Sequence, residues 1–127
     1  MKLLAAASLT LLLTACAALR PPAPAGLMDV AERPAEKALL GGIRAYEDAQ
    51  YAEAEKRFAA ALQAGLASPK DRAAAHKHLA FIYCTSDRRA ECETAFRAAI
   101  QADPAFALSR SEAGHPLWGP VYRRLRP

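Results

Sequence analysis

The strongest constraint on the fold is a self-similarity 38 residues apart: Gly42, Ala54, Phe58 and Ala61 recur as Ala80, Cys92, Phe96 and Ala99. Small residues and one aromatic at fixed places are what a pair of antiparallel helices needs. The small side chains let two backbones approach, and the aromatic fills the groove between neighbouring pairs. A chain of 127 residues allows one small domain. Its alanine-rich stretches favour helix, because Ala loses no side-chain entropy there. At 7% aromatic content, close-packed helices are favoured over a sandwich of strands. These features predict an all-α fold of two helical hairpins, stacked as a short solenoid with a C-terminal capping segment.

Boundary signals divide the repeat. Arg33-Pro34 opens a first helix that ends at Ala49-Gln50, and a second runs from Tyr51 to near Gly65, a helix-stop residue. Ser68-Pro69-Lys70-Asp71 is a start signal: Ser as cap, Pro in the first turn, Asp three residues on. The third helix is predicted to reach about Thr85. Ser86-Asp87 is read as the cap of a fourth, from Arg88 to about Ala102, and Asp103-Pro104 as the opening of a shorter fifth segment. Two hairpins leave one end of the stack uncovered. The tail carries Phe106, Leu108, Leu117, Trp118, Val121 and Tyr122, so it is expected to fold back as a cap. Gly114-His115-Pro116 and Gly119-Pro120 would supply the turns. The alternative is that Leu117 to Tyr122 is an exposed partner-binding peptide.

The N-terminus follows other rules. Met1-Lys2 is a positive start, Leu3 to Leu13 is apolar, and small residues follow. This is the layout of a secretory signal, too short to span a bilayer of roughly 30 Å permanently. Leu13-Thr14-Ala15-Cys16 resembles the lipobox of bacterial lipoproteins. The resemblance implies a signal peptide over residues 1–15 and diacylglyceryl and acyl (palmitate-type) modification of Cys16; the alternative is an ordinary secretory signal with an incidental cysteine. With Ala17 rather than Asp next, it also implies the outer membrane, facing the periplasm. Residues 16–33 would form the lipidated N-terminus and a Pro-rich tether, since Arg20 to Gly26 cannot be helix. About a dozen such residues, at roughly 3.1 Å each, would hold a domain over residues 34–127 tens of ångströms from the lipid.

With Cys16 set aside, Cys84 and Cys92 form an even pair in an oxidising compartment. The turn between their helices would bring their Cα atoms near the roughly 5–6 Å that a disulfide needs. Two free buried thiols, or a redox-active pair near Arg88 and Arg89, are the alternatives. No catalytic constellation is legible, and the chain is expected to be no enzyme and to use no cofactor. His76 and His78, two apart on a helix, point in different directions and cannot share a metal with ease. There is no phosphate loop and no nucleophile elbow. Glu53 and Glu55, or Glu91 and Glu93, read as solvated surface with Lys56, Arg57 and Arg97. The net charge of +4 is mild and its basic residues are scattered, so no nucleic-acid partner and no small-molecule substrate are expected.

The repeat resembles the tetratricopeptide repeat (TPR), whose unit of about 34 residues places small and aromatic residues at these positions. The unit Ala73 to Phe106 matches at Leu79, Ala80, Tyr83, Phe96, Ala99 and Pro104, and departs at His76 and Cys92. The unit Ala35 to Leu66 matches at Gly42, Tyr51, Ala54, Phe58, Ala61 and Leu62, and departs at Gly41 and Ala45. The resemblance implies a protein-binding concave face made of Leu39, Ile43, Tyr46 and Glu47, then Lys77, Phe81 and Thr85. The alternative is that several of these pack under the terminal segments. Ala75 to Cys84, Ala102 to Phe106 and Glu112 to Tyr122 together resemble the short TPR lipoproteins of bacterial type VI secretion systems, the TssQ type. That likeness implies an adaptor of an envelope-spanning machine. A pilotin-like or envelope-assembly lipoprotein, or a regulator of a cell-wall enzyme, is the alternative.

Overall fold

In a computed structural model, residues 23–126 are described, and they are all-helical. The predicted signal peptide and the lipidation position Cys16 lie outside the described residues, as does the start of the tether. Seven helices follow in order: α1 Leu27–Ala31, α2 Pro34–Glu47, α3 Tyr51–Ala64, α4 Pro69–Thr85, α5 Arg89–Ala102, α6 Arg110–Ala113 and α7 Gly119–Leu125. Within the predicted tether, Ala23–Gly26 has no regular structure. The short α1 then forms, with the Asp29 carboxylate accepting from the Gly26 amide at 3.1 Å.

α2 with α3, and α4 with α5, are two antiparallel hairpins that pack side by side through α3 and α4. The repeating residues sit at the contacts. Ala54, Phe58, Ala61, Ala80, Cys92, Phe96 and Ala99 are all fully buried. Gly42 shows why the position must be small: a Cβ there would come within 2.8 Å of the Phe58 ring. Gly65 ends α3 in the left-handed conformation, at φ 90°, which glycine adopts without strain. Ser68 caps α4 as expected, accepting from the Asp71 amide at 3.3 Å, with Pro69 in the first turn.

The repeat also governs the two hairpin turns, which residue identity does not advertise. Ala49 and Asp87, 38 residues apart, both have positive φ, at 58° and 61°. The amide after each reaches back five residues: Gln50 N–H donates to Ala45 at 2.8 Å, and Arg88 N–H donates to Tyr83 at 2.8 Å. A left-handed Ala costs about 1–2 kcal/mol, of which glycine's extra chain entropy returns part. Ala49→Gly should therefore raise stability by about 0.5–1 kcal/mol, read as a higher urea midpoint. A lower midpoint would refute the turn geometry.

Three expectations need correction. Ser86 and Asp87 do not cap α5. Ser86 instead closes α4, its hydroxyl donating to the Ile82 carbonyl at 2.7 Å, and α5 starts after Arg88. Pro104 does not open a helix, because the Asp103 carboxylate accepts from the Ala105 amide at 3.0 Å and fixes a turn there. The helix restarts at α6, where Ser109 and Glu112 bond reciprocally to each other's backbone amides at 2.8 and 3.2 Å. Gly119-Pro120 is not a turn but the first turn of α7, where a missing amide donor does no harm.

The tail folds back as a cap. Trp118, Val121 and Tyr122 are buried, and the Tyr122 ring lies 5.5 Å from that of Phe96. The Leu108 amide donates to the Tyr122 hydroxyl at 3.3 Å. Arg126 Nη2 donates to the Pro104 and Phe106 carbonyls at 2.9 and 2.6 Å. In the stretch read alternatively as an exposed peptide, Leu117 is 54% exposed, while the larger side chains after it face the core.

Candidate functional site

The predicted binding face lies along α2 and α4, and the cap claims part of it. Phe81 is only 4% exposed and stacks on Trp118, centroids 4.1 Å apart and planes 20° apart. His115 stacks on the other side of the indole, whose Nε1–H donates to the Glu112 carbonyl at 2.8 Å. Lys77 Nζ meets Glu112 Oε1 at 2.7 Å, with both side chains about three-quarters covered. The C-terminal segment therefore occupies the groove over the middle of α4. On α2, Leu39 is buried in the core as well. Leu39 and Phe81, expected on a binding face, are thus core residues that no partner reaches in this arrangement. Ile43 and Tyr46 are half-buried, Glu47 and Thr85 are exposed, and the Thr85 hydroxyl donates to the Phe81 carbonyl at 2.8 Å.

At the seam between the hairpins stands His78, which periodicity alone does not single out. It stacks on Phe58 at 5.0 Å and meets the edge of Tyr46 at 5.2 Å, and its Nδ1 lies 2.8 Å from the Ala74 carbonyl. Burial holds the His78 imidazole below its ordinary pKa. The Ala74 carbonyl, Glu112 and Glu47 oppose that shift, and Lys77 reinforces it. Burial likewise lowers His76. Burial raises the Tyr46 phenol, with Tyr51 and Glu112 adding to the shift. For Glu112, burial raises the carboxyl pKa, but bonds from Lys77 and Ser109 outweigh it and leave it below the usual range. Tyr46 and His78 thus meet where the two hairpins join, and Lys77 and Glu112 tie α4 to the cap.

A second tie lies beside the α4–α5 turn. Arg88 Nη1 donates to both oxygens of Glu55 at 2.9 Å, and Nε and Nη2 bind Glu91 at 3.0 and 2.6 Å. The same guanidinium sits 4.2 Å from the Tyr83 ring centroid. These bonds raise the Arg88 pKa and hold Glu91 low. Cys84 and Cys92 are joined as a disulfide across this turn, with Cα atoms 5.1 Å apart.

A cleft of about 240 Å³ lies open between the N-terminal half of α4 and the segment after α5. It is lined by Lys70, Ala73, Ala74, Lys77, Asp103, Phe106 and Ala107. Lys77 is the one member the sequence reading places on the binding face. The others are legible in hindsight: Lys70, Ala73, Ala74 and Lys77 follow helical spacing along one side of α4. Asp103 and Phe106 arrive there only because the chain turns back at Pro104. The apolar floor, with Lys70, Asp103 and the Glu112-paired Lys77 at its edge, suits a protruding peptide side chain better than bond-making chemistry.

Among the described residues, no group of His, Cys, Asp and Glu is placed to hold a metal, and no helix is long and apolar enough to cross a membrane. No protein-family model, curated protein or solved structure matches the chain.

Proposed function

We propose that the chain is an adaptor lipoprotein of the bacterial envelope, anchored through Cys16 to the periplasmic face of the outer membrane. Its two hairpins, read as TPR units, bind a protein partner of an envelope-spanning machine, in the first instance a type VI secretion system. The observation that carries the binding role is the cleft on α4, where Lys70 and Lys77 flank a floor of Ala73, Ala74 and Phe106. Ile43 and Tyr46, half-buried members of the expected binding face, lie apart from it on α2. The anchor rests on Leu13-Thr14-Ala15-Cys16 at the end of the apolar leader.

Ala74→Trp fills the cleft, and Lys70→Glu reverses the charge of its lysine that is unpaired among the described residues. Each should reduce crosslinking of the full chain to its partner in native envelopes at least tenfold, with helical circular dichroism unchanged. Gln63→Trp, on exposed α3 surface, serves as the control. Equal crosslinking by all three would remove the cleft from the role. Mass spectrometry of the products separates the machines. Secretion-sheath or membrane-complex proteins support a type VI system. Secretins or barrel-assembly proteins support a pilotin-like role, and a peptidoglycan hydrolase supports a regulator. The intact mass of the membrane-extracted chain tests the anchor through loss of residues 1–15 and acyl addition at Cys16.

A further inference from the structure

We propose that the outer face of α5 and α7 docks against an anionic lipid leaflet, laying the domain on the membrane instead of leaving it suspended by the tether. The proposal rests on the lipid-anchored reading above, and its test separates the two.

Basic residues scattered along the chain are gathered here by the fold. Arg89, Glu93 and Arg97, four apart in turn, share one side of α5. α7 packs on α5 through Val121 and Tyr122, which turns Pro120, Arg123 and Arg124 outward, all exposed. Glu93 is the carboxylate they share. It accepts from Arg97 Nη2 at 2.6 Å, and Arg124 and Arg89 lie close enough to help hold it below the usual carboxylate range. Arg123 donates to the Ala113 carbonyl at 2.8 Å, a neutral partner that leaves its charge uncompensated. Among the described residues, Arg89, Arg123 and Arg124 make no ion pair, and neither do Arg110 and Arg126. The cap therefore adds positive charge to the side of α5 where Arg89 and Arg97 already stand.

A leaflet fits this face better than a folded acidic partner does. None of these arginines lines the cleft on α4; they stand on the outer surfaces of two helices, a form that suits a planar array of phosphates. A domain tethered at its N-terminus also meets its own membrane at high effective concentration. Each basic side chain near such a surface strengthens attachment roughly fivefold, and the effect is screened by salt.

The full acylated chain is incorporated into supported bilayers of phosphatidylcholine, with or without phosphatidylglycerol, and its distance from the headgroups is read by neutron reflectometry. The protein layer should abut the headgroups of the anionic bilayer. It should stand off on the neutral one, in high salt, and in the Arg89→Gln/Arg97→Gln/Arg124→Gln variant. Equal spacing on both bilayers overturns the docking proposal and leaves the face to an acidic protein. A chain that forms no protein layer on either bilayer refutes the anchor instead. Docking is then decided by a second arm, the partition of the full-length Cys16→Ser chain between anionic and neutral vesicles. That ratio should fall roughly 100-fold in the triple variant, and an unchanged ratio overturns the proposal.

Discussion

Trp118→Ala should lower the unfolding free energy by about 3–5 kcal/mol, the range for truncating a buried aromatic. Three losses act together. The indole leaves Phe81 without its stacking partner and His115 without its platform. The Glu112 carbonyl loses the Nε1–H donor it accepts from at 2.8 Å. The α6–α7 segment then loosens over Phe96, which Tyr122 covers. A small domain has total stability of about 5–15 kcal/mol, so the loss is a large share of what keeps it folded. Trp118→Phe keeps a ring against Phe81 but loses the donor and part of the indole's volume, while the Glu112 carbonyl still accepts from the His115 amide at 3.1 Å, so it should cost less, about 1–3 kcal/mol. Urea titration followed by circular dichroism at helical wavelengths reads both, free of the missing tryptophan signal. If Trp118→Ala melts within 1 kcal/mol of the parent, the cap lies outside the cooperative unit, and the exposed-peptide reading of Leu117 to Tyr122 regains its place.

This cap also marks where the sequence stops being legible. The helices of the hairpins could be read because each rests on local signals. Ser68-Pro69 opens one, Gly65 closes another, and small residues repeat wherever two helices touch. The TPR likeness starts the next helix at Pro104, whereas Asp103 makes a turn of that proline and Ser109 with Glu112 opens α6 instead. The left-handed Ala49 carries no mark in its identity; only its register with Asp87 gives it away. The binding face was the least legible part. Helical periodicity places Lys77 and Phe81 on the inner side of α4, but which chain segment lies over them is a contact across some 35 residues or more. Periodicity holds no information at that range. The place of His78 between Phe58 and Tyr46 likewise depends on how the two hairpins meet.

Reducing the Cys84–Cys92 bond should lower stability by about 2–3 kcal/mol, the loop-closure entropy of a ring this small. For a domain of this size, that is a fall in melting temperature of about 10–20 °C. The bond spans eight positions across the α4–α5 turn, where Asp87 is left-handed and Arg88 ties α3 to α5. In the first hairpin the corresponding positions are Tyr46 and Ala54, so that turn has no covalent tie and is held by backbone bonds and the Tyr46–Tyr51 ring contact. The second hairpin carries the cap, and releasing its covalent tie should therefore destabilise the end of the stack that the first hairpin cannot cover. Cys84→Ser should reproduce the loss and make the melt insensitive to dithiothreitol. Cys92→Ala should lose somewhat more, because Cys92 is fully buried and its removal leaves a void. Coincident melts of the oxidised and reduced chains would show that the bond contributes nothing to folding. The two sulfurs, with Arg88 and Arg89 beside them, would then have to be explained by thiol chemistry rather than by stability.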